Sequence, residues 1–294
     1  MERYIVTRPE NRNVVEVWSE KRLQFEPQGE LKDLRTDIRA AVRMLKAKPN
    51  QVLHAVYGAQ GDEFCDAENI LFYNVGPGFF THVAGRGVRF ERAYSYPDPS
   101  QALLANHLHY HRYATVDAND TFSHWQPDRV LAKWSDVQLP RTASATTASS
   151  VWYHMKSGLV DICQLPSEEL KLFGLCVIVK APANDAINIS GVMKPLLDGL
   201  IAAFHAHNGE KIEQISQRLG ATLHTDQSAV VKLLNDQSGA ILGRRRLLGP
   251  FRKGIMWNPA DDLCLAAELL VERHDGNGRL ISGSLFEIDR KRGN

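Results

Sequence analysis

The chain has 294 residues, with 35 lysines and arginines against 34 aspartates and glutamates, a formal net charge of +1. That balance excludes a global pull toward polyanions, so nucleic acid or an anionic surface would have to be met by a local patch. Apolar residues at 44% and charged residues at 23% fit a globular chain and exclude disorder or fibrous repeats, and the length accommodates two domains, each with a core of its own.

In chain order, GELKDLRTDIRAAVRMLKAKPN places Leu31, Leu34, Ile38, Ala41, Val42 and Leu45 at helical spacing before a Pro-Asn stop, which predicts an amphipathic helix. QVLHAVYGAQ reads as a strand, and GDEFCDAENILFYNVG as an acidic turn running into a short apolar helix. GPGFFTHVAGRG, Gly76 to Gly87, lacks both a P-loop lysine and the G-x-G-x-x-G order, so it reads as a loop. GVRFERAYSYP and HLHYHRYATV alternate as strands do. QLPRTASATTASS, Gln138 to Ser150, reads as a linker that divides an N-terminal lobe (1–137) from a C-terminal lobe (151–294).

Beyond it, LFGLCVIVKAP is a continuous apolar strand, and VMKPLLDGLIAAFHAH a helix starting near Val192. An insertion at about 205–254 is helical by pattern, and WNPADD then leads into two strands around a turn at Asp275 to Gly278. The expected fold class is α/β (α+β), built as two lobes, each a small mixed sheet with packed helices. No apolar run approaches the roughly 20 residues that span a bilayer, and MERYIVTRPENRN lacks the order of a signal peptide, so a cytoplasmic protein with no membrane partner is expected. Cys65, Cys163, Cys176 and Cys264 form no C-x-x-C pair and read as reduced thiols, with Cys176 in the core.

The second half runs strand, turn, a helix carrying Lys194 and Asp198 in KPLLDGL, then Asp261-Asp262 before a strand pair. This order, over about Leu172 to Ile288, resembles the RusA-like endodeoxyribonucleases, small α/β Holliday junction resolvases with a D-x-D-N, a K-x-x-x-D on a helix and a later D-D. The chain departs from that pattern where the D-x-D-N would stand, having Asn188, Ser190 and Gly191 there, so that Asp262 alone could serve as the third metal-binding carboxylate. Asp66-Ala67-Glu68-Asn69 follows a strand in the first half and sits where a D-x-D-N would fall in a first copy of the same unit, with Phe72 in the lysine's place.

The resemblance implies a nucleic-acid partner and a Mg²⁺ cofactor held by Asp66, Glu68 and Asp262, with Lys194 as the transition-state cation. The chemistry agrees, because phosphodiester cleavage needs a hard cation and Mg²⁺ prefers carboxylate oxygens. Each group has a plainer reading too. Asp66 and Glu68 suit a helix N-terminus, Lys194 and Asp198 an i,i+4 ion pair, and Asp261-Asp262 a turn. His107, His109 and His111 would share one strand face without a matching acid or cysteine nearby. Arg244, Arg245, Arg246, Arg252 and Lys253 in GRRRLLGPFRK form a basic cluster that would clamp phosphates or simply face solvent. The functional classes are therefore a Mg²⁺-dependent nuclease, a degenerate relative that binds DNA without cutting it, and a structural or assembly subunit of a bacterial complex that meets a protein partner or its own copies.

Overall fold

A computed structural model of the chain describes residues 3–9, 12–60, 65–99, 108–140, 145–165 and 172–291. In the first half, β1 (Tyr4–Thr7) and β2 (Val14–Ser19) precede α1 (Glu30–Val42), which buries Leu34, Ile38 and Val42, the stripe expected from its spacing. Then follow β3 (Gln51–Ala59), β4 (Gly87–Ala93), β5 (His109–Asp117) and the long β6 (Trp125–Leu139). The short apolar helix expected after the acidic turn is a π-helical turn, Asn69–Tyr73, which buries Ile70, Leu71 and Phe72.

The second half opens with α2 (Ala148–Ser157) and β7 (Val160–Ile162), followed by β8 (Phe173–Pro182) and α3 (Ile189–Ala203). Helix α3 begins before Val192 because the Asn188 side chain accepts from the Gly191 amide and caps it there. The insertion is helical in α4 (Ile212–Leu223) and α5 (Gln227–Asn235). It also holds a short parallel pair, β9 (Ala206–His207) with β10 (Arg244–Arg245), and a hairpin of β11 (Leu248–Phe251) and β12 (Gly254–Trp257). The chain closes on β13 (Cys264–His274) and β14 (Arg279–Arg290), around the expected turn.

One mixed sheet of ten strands runs through both halves, in the order β1-β2-β5-β3-β4-β13-β8-β14-β6-β7. The halves join where β13 pairs antiparallel with β4, from Ala266 opposite Glu91 to Leu270 opposite Gly87. The boundary expected at 137 falls inside β6, which pairs with β14 on the far side of that junction. Part of the expected linker is helix, because Thr147 and Ser150 cap α2 reciprocally and Val151, Trp152 and Met155 bury its inner face. Residues 141–144 of that segment lie outside the described residues.

Helices α1, α2 and α3 share one core with alternate strand positions, among them Leu53, Ala55, Tyr57, Val88, Phe90, Leu175, Val177 and Leu269. Each of the leucines, valines and phenylalanine among them contributes about 1.5–3 kcal/mol when buried. The intervening positions point to the opposite face, where Phe122, Trp125, Leu265 and Phe286 form a smaller cluster. Packing is tight where β14 runs between β8 and β6: a β-carbon at Gly283 would lie 2.6 Å from the Trp134 ring and against the Cys176 carbonyl. Gly283→Val is therefore expected to cost about 3 kcal/mol, read as a lower urea midpoint at unchanged m-value; a loss under about 0.5 kcal/mol would show that the strands can separate there.

Candidate functional site

Strand β3 runs parallel to β4, and β4 runs antiparallel to β13, so the C-terminal end of β3 and the N-terminal end of β13 lie at the same end of the sheet's strands. The acidic segment after β3 and the Asp-Asp before β13 are thereby brought together from opposite halves. Asp66 accepts the Asn69 amide through Oδ1 at 3.1 Å, which starts the π-helical turn and leaves Oδ2 free to face α3. The start of α3 is tied to the first half by Ser190, whose hydroxyl donates to the Pro77 carbonyl at 2.9 Å.

Lys194 occupies the meeting point. Its ammonium donates hydrogen bonds to Asp261 at 2.6 Å and Asp66 at 3.0 Å. It forms further ion pairs with Asp198 at 2.9 Å and Glu68 at 3.8 Å. One cation thus faces four carboxylates, all substantially buried, with Glu68 the most so at 6% side-chain exposure. Ion pairing between Lys194 and Asp198 is the i,i+4 geometry expected of KPLLDGL.

The electrostatics follow from that excess of acid. Burial pushes the Asp66 carboxyl up to about 7 against the pull of Lys194, with Asp261 adding to the rise. Burial and then Asp66 raise Glu68 well above the usual carboxylate range. Asp198 is raised to about 6, again by burial and in spite of Lys194. Asp261 is also penalised by burial, but Lys194 and a hydrogen bond from Asp66 outweigh it and hold its carboxyl low. Asp66 and Asp261 therefore titrate together as a pair, with Asp66 raised and Asp261 lowered. Burial disfavours the charge on Lys194, yet the surrounding acids raise its pKa.

A pocket of about 740 Å³ opens beside the cluster, lined by Asp66, Lys194 and Asp198 together with Arg22, Phe25 and Tyr73. Phe25 and Tyr73 stack at 5.0 Å between centroids and are both exposed. A second buried acid, Glu91, makes an instructive contrast on the other face of the sheet. Burial would raise it, but His54 at 2.7 Å and the Ser123 and His124 amides at 2.6 and 2.7 Å hold it low. Its charge is met, and it serves to fasten the 118–124 segment to the sheet.

Of the expected site residues, Asp66, Glu68 and Lys194 come together, and Asp262 does not join them. Asp261 takes the place expected of Asp262, because the two open a 3₁₀ turn, Asp261–Leu263, in which neighbours diverge by about 120°. Among the described residues, no group of three or more histidine, cysteine, aspartate or glutamate side chains is disposed to hold a metal ion as it stands. The expected histidine face is likewise no ligand set: His109 binds the Tyr57 hydroxyl at 2.8 Å, and burial lowers His111 to about 3. His107 lies outside the described residues. Cys65 and Cys264 are buried and Cys176 partly so, all as free thiols.

The basic cluster divides. Arg244 donates to the His207 and Asn208 carbonyls at 3.1 and 3.0 Å, and Arg246 pairs with Glu210 at 3.2 Å. Arg245 lies half-buried in β10, and Arg252 and Lys253 form the exposed tip of the β11–β12 hairpin. Of the five, Arg244 and Arg246 thus have partners within the protein, while no carboxylate among the described residues pairs with Arg252 or Lys253. No helix among the described residues is long and apolar enough to cross a membrane.

No family model matches the chain, and neither a curated protein nor a solved structure matches it.

Proposed function

We propose that the chain acts on nucleic acid as a divalent-metal-dependent phosphodiesterase, with the Lys194 cluster as its reaction centre. The observation that supports this reading is the convergence of Asp66, Glu68, Asp198 and Asp261 on one lysine from segments as far as 128 residues from it in the chain, at the edge of an open pocket. Burying several carboxylates around one cation is a poor way to stabilise a fold, since desolvation offsets most of the attraction. Groups with such displaced pKa values gather where chemistry needs them.

The donor set is all carboxylate oxygen, which suits a hard cation. Asp66, Glu68 and Asp261 would hold it, with Asp261 taking the role expected of Asp262, and the ion would supply an activated water and neutralise phosphate charge. Lys194, fixed by Asp198 on the same helix, would stabilise charge developing on the phosphoryl oxygens. Asp66, which titrates near 7, can hold or release a proton at neutral pH.

A second reading is a relative that binds DNA without cutting it. The observation favouring it is that the Lys194 ammonium already lies among all four acids, where a metal would have to compete with it. Two measurements separate the readings: cleavage of branched and linear DNA with Mg²⁺, and Mn²⁺ binding by calorimetry, for wild type and Asp66→Asn. Cleavage and Mn²⁺ binding by wild type, with cleavage at least about 100-fold slower in the variant, is the expected result. Wild type that binds DNA but neither cuts it nor takes up Mn²⁺ would establish the second reading.

A further inference from the structure

The β11–β12 hairpin plays no part in the cluster, yet its construction is specific. Its register pairs Leu248 with Trp257 and Phe251 with Gly254, leaving Arg252 and Lys253 as a two-residue turn. Arg252 sits at φ 48°, a left-handed conformation that glycine or asparagine ordinarily fills in such turns. The hairpin is braced along its length. The Trp257 indole donates to the Ser149 hydroxyl at 3.2 Å and packs on Trp152, and the Arg218 guanidinium of α4 donates to the Arg252 and Gly254 carbonyls at 3.0 and 2.8 Å.

A rigid base thus carries an exposed tip. Phe251 is 52% and Met256 55% exposed, and the Arg252 guanidinium lies 5.3 Å over the Phe251 ring. Among the described residues no carboxylate pairs with Arg252 or Lys253, while Arg244 and Arg246 are committed elsewhere. An exposed aromatic ring followed by two cations without an acid partner among the described residues complements a polyanion with flat apolar faces, which is what unpaired nucleotides present. From Lys253 the chain reaches Asp261 in eight residues, so the backbone of the tip lies no more than about 29 Å from that of Asp261.

We propose that the Phe251–Lys253 tip is a strand-gripping finger: an unpaired base stacks on Phe251 while Arg252 and Lys253 take the flanking phosphates. This rests on the nucleic-acid reading above and adds a preference for single-stranded or locally unpaired segments.

The test is fluorescence polarisation of a labelled oligothymidine and of a duplex, over a salt series, with wild type, Phe251→Ala, and the double variant Arg252→Gly/Lys253→Ala. Glycine suits the turn at φ 48°, so the double variant keeps the hairpin. Phe251→Ala is expected to weaken single-strand binding about 10-fold with less effect on duplex, and the double variant to lower the salt slope by about 1–2. If wild type binds and both variants bind equally well, the finger is refuted and the nucleic-acid reading stands. Equal losses on single strand and duplex would overturn the unpaired-base preference. Wild type that binds neither would overturn the reading and the finger together.

Discussion

Lys194→Met is expected to lower folding stability by roughly 3–5 kcal/mol at pH 8. The substitution keeps the side chain's length and apolar stem but removes the cation that Asp66, Glu68, Asp198 and Asp261 all face. What remains is a group of buried carboxylates that repel one another without water to screen them. Their folded-state pKa values then rise further, so the variant folds only with more of them protonated. The cost is accordingly smaller at pH 5, where protons are available, and grows toward pH 8. Urea unfolding at the two pH values reads this directly. A loss below about 1 kcal/mol, or one equal at both pH values, would show that the acids do not depend on Lys194. Adding Asp261→Asn to Lys194→Met should recover part of the loss, since residues sharing one partner are not additive.

The acid cluster should contribute less to stability as the pH climbs from about 4 to about 7, and Asp66→Asn should gain on wild type over that range while removing the proposed activity. Asp66 and Asp198 titrate near 7 and 6 in the folded state against an ordinary 3.8, and Glu68 is raised as well. A raised carboxyl binds more protons folded than unfolded. Its contribution is fully present below its ordinary value and is lost as the pH climbs through its folded one. Asp261, held low, acts in the opposite sense, and its contribution is lost only as the pH drops below about 4. Within the cluster, three acids raised against one lowered give a downward slope toward neutrality. His111 and His205, lowered by burial to about 3 and about 4, and His124 and His154, also lowered, act in the opposite sense over the same window, so the cluster is read from the difference between variant and wild type. Asparagine at 66 keeps an oxygen for the Asn69 amide and removes one of the competing charges, so the variant should equal or exceed wild type at pH 8 by about 1–2 kcal/mol. Thermal or urea midpoints across pH 4–8 test both statements. A variant whose midpoint does not gain on wild type as the pH rises, or one weaker than wild type at pH 8, would contradict them. A substitution that stabilises the fold while abolishing cleavage would mark the cluster as kept for function at the expense of stability.

What could be read from the chain was what its local chemistry dictates. Leu34, Ile38 and Val42 recur every three or four residues, so α1 was legible, as were α3 and the strongly apolar or alternating strands β3, β4, β5, β8, β13 and β14. Strand β6 was not, because Pro127 and the bulges in its pairing with β14 break its alternation. Helix α2 hid in a Ser/Thr-rich stretch whose Thr147 and Ser150 are a cap rather than a linker. The β11–β12 hairpin was masked by a helical reading of the whole insertion.

The candidate site divides along the same line. Residue types and spacing were enough to single out Asp66, Glu68, Lys194 and the Asp261-Asp262 pair, because i,i+2 and i,i+4 placements are properties of the backbone period. That these groups meet was decided by the antiparallel pairing of β4 with β13, a contact between residues some 180 apart, such as Arg89 and Glu268, which no local pattern encodes. The same holds for the choice of Asp261 over Asp262. Both are acids before a strand, and only the turn's rotation and the position of Lys194 give one of them a partner. Likewise five basic residues in one short stretch were plain to read, but which of them stay free depended on His207, Asn208 and Glu210, brought alongside by the β9–β10 pairing. Short-range periodicity is written into the chain; the neighbours of a charge, and so its pKa and its use, are set by how distant strands align.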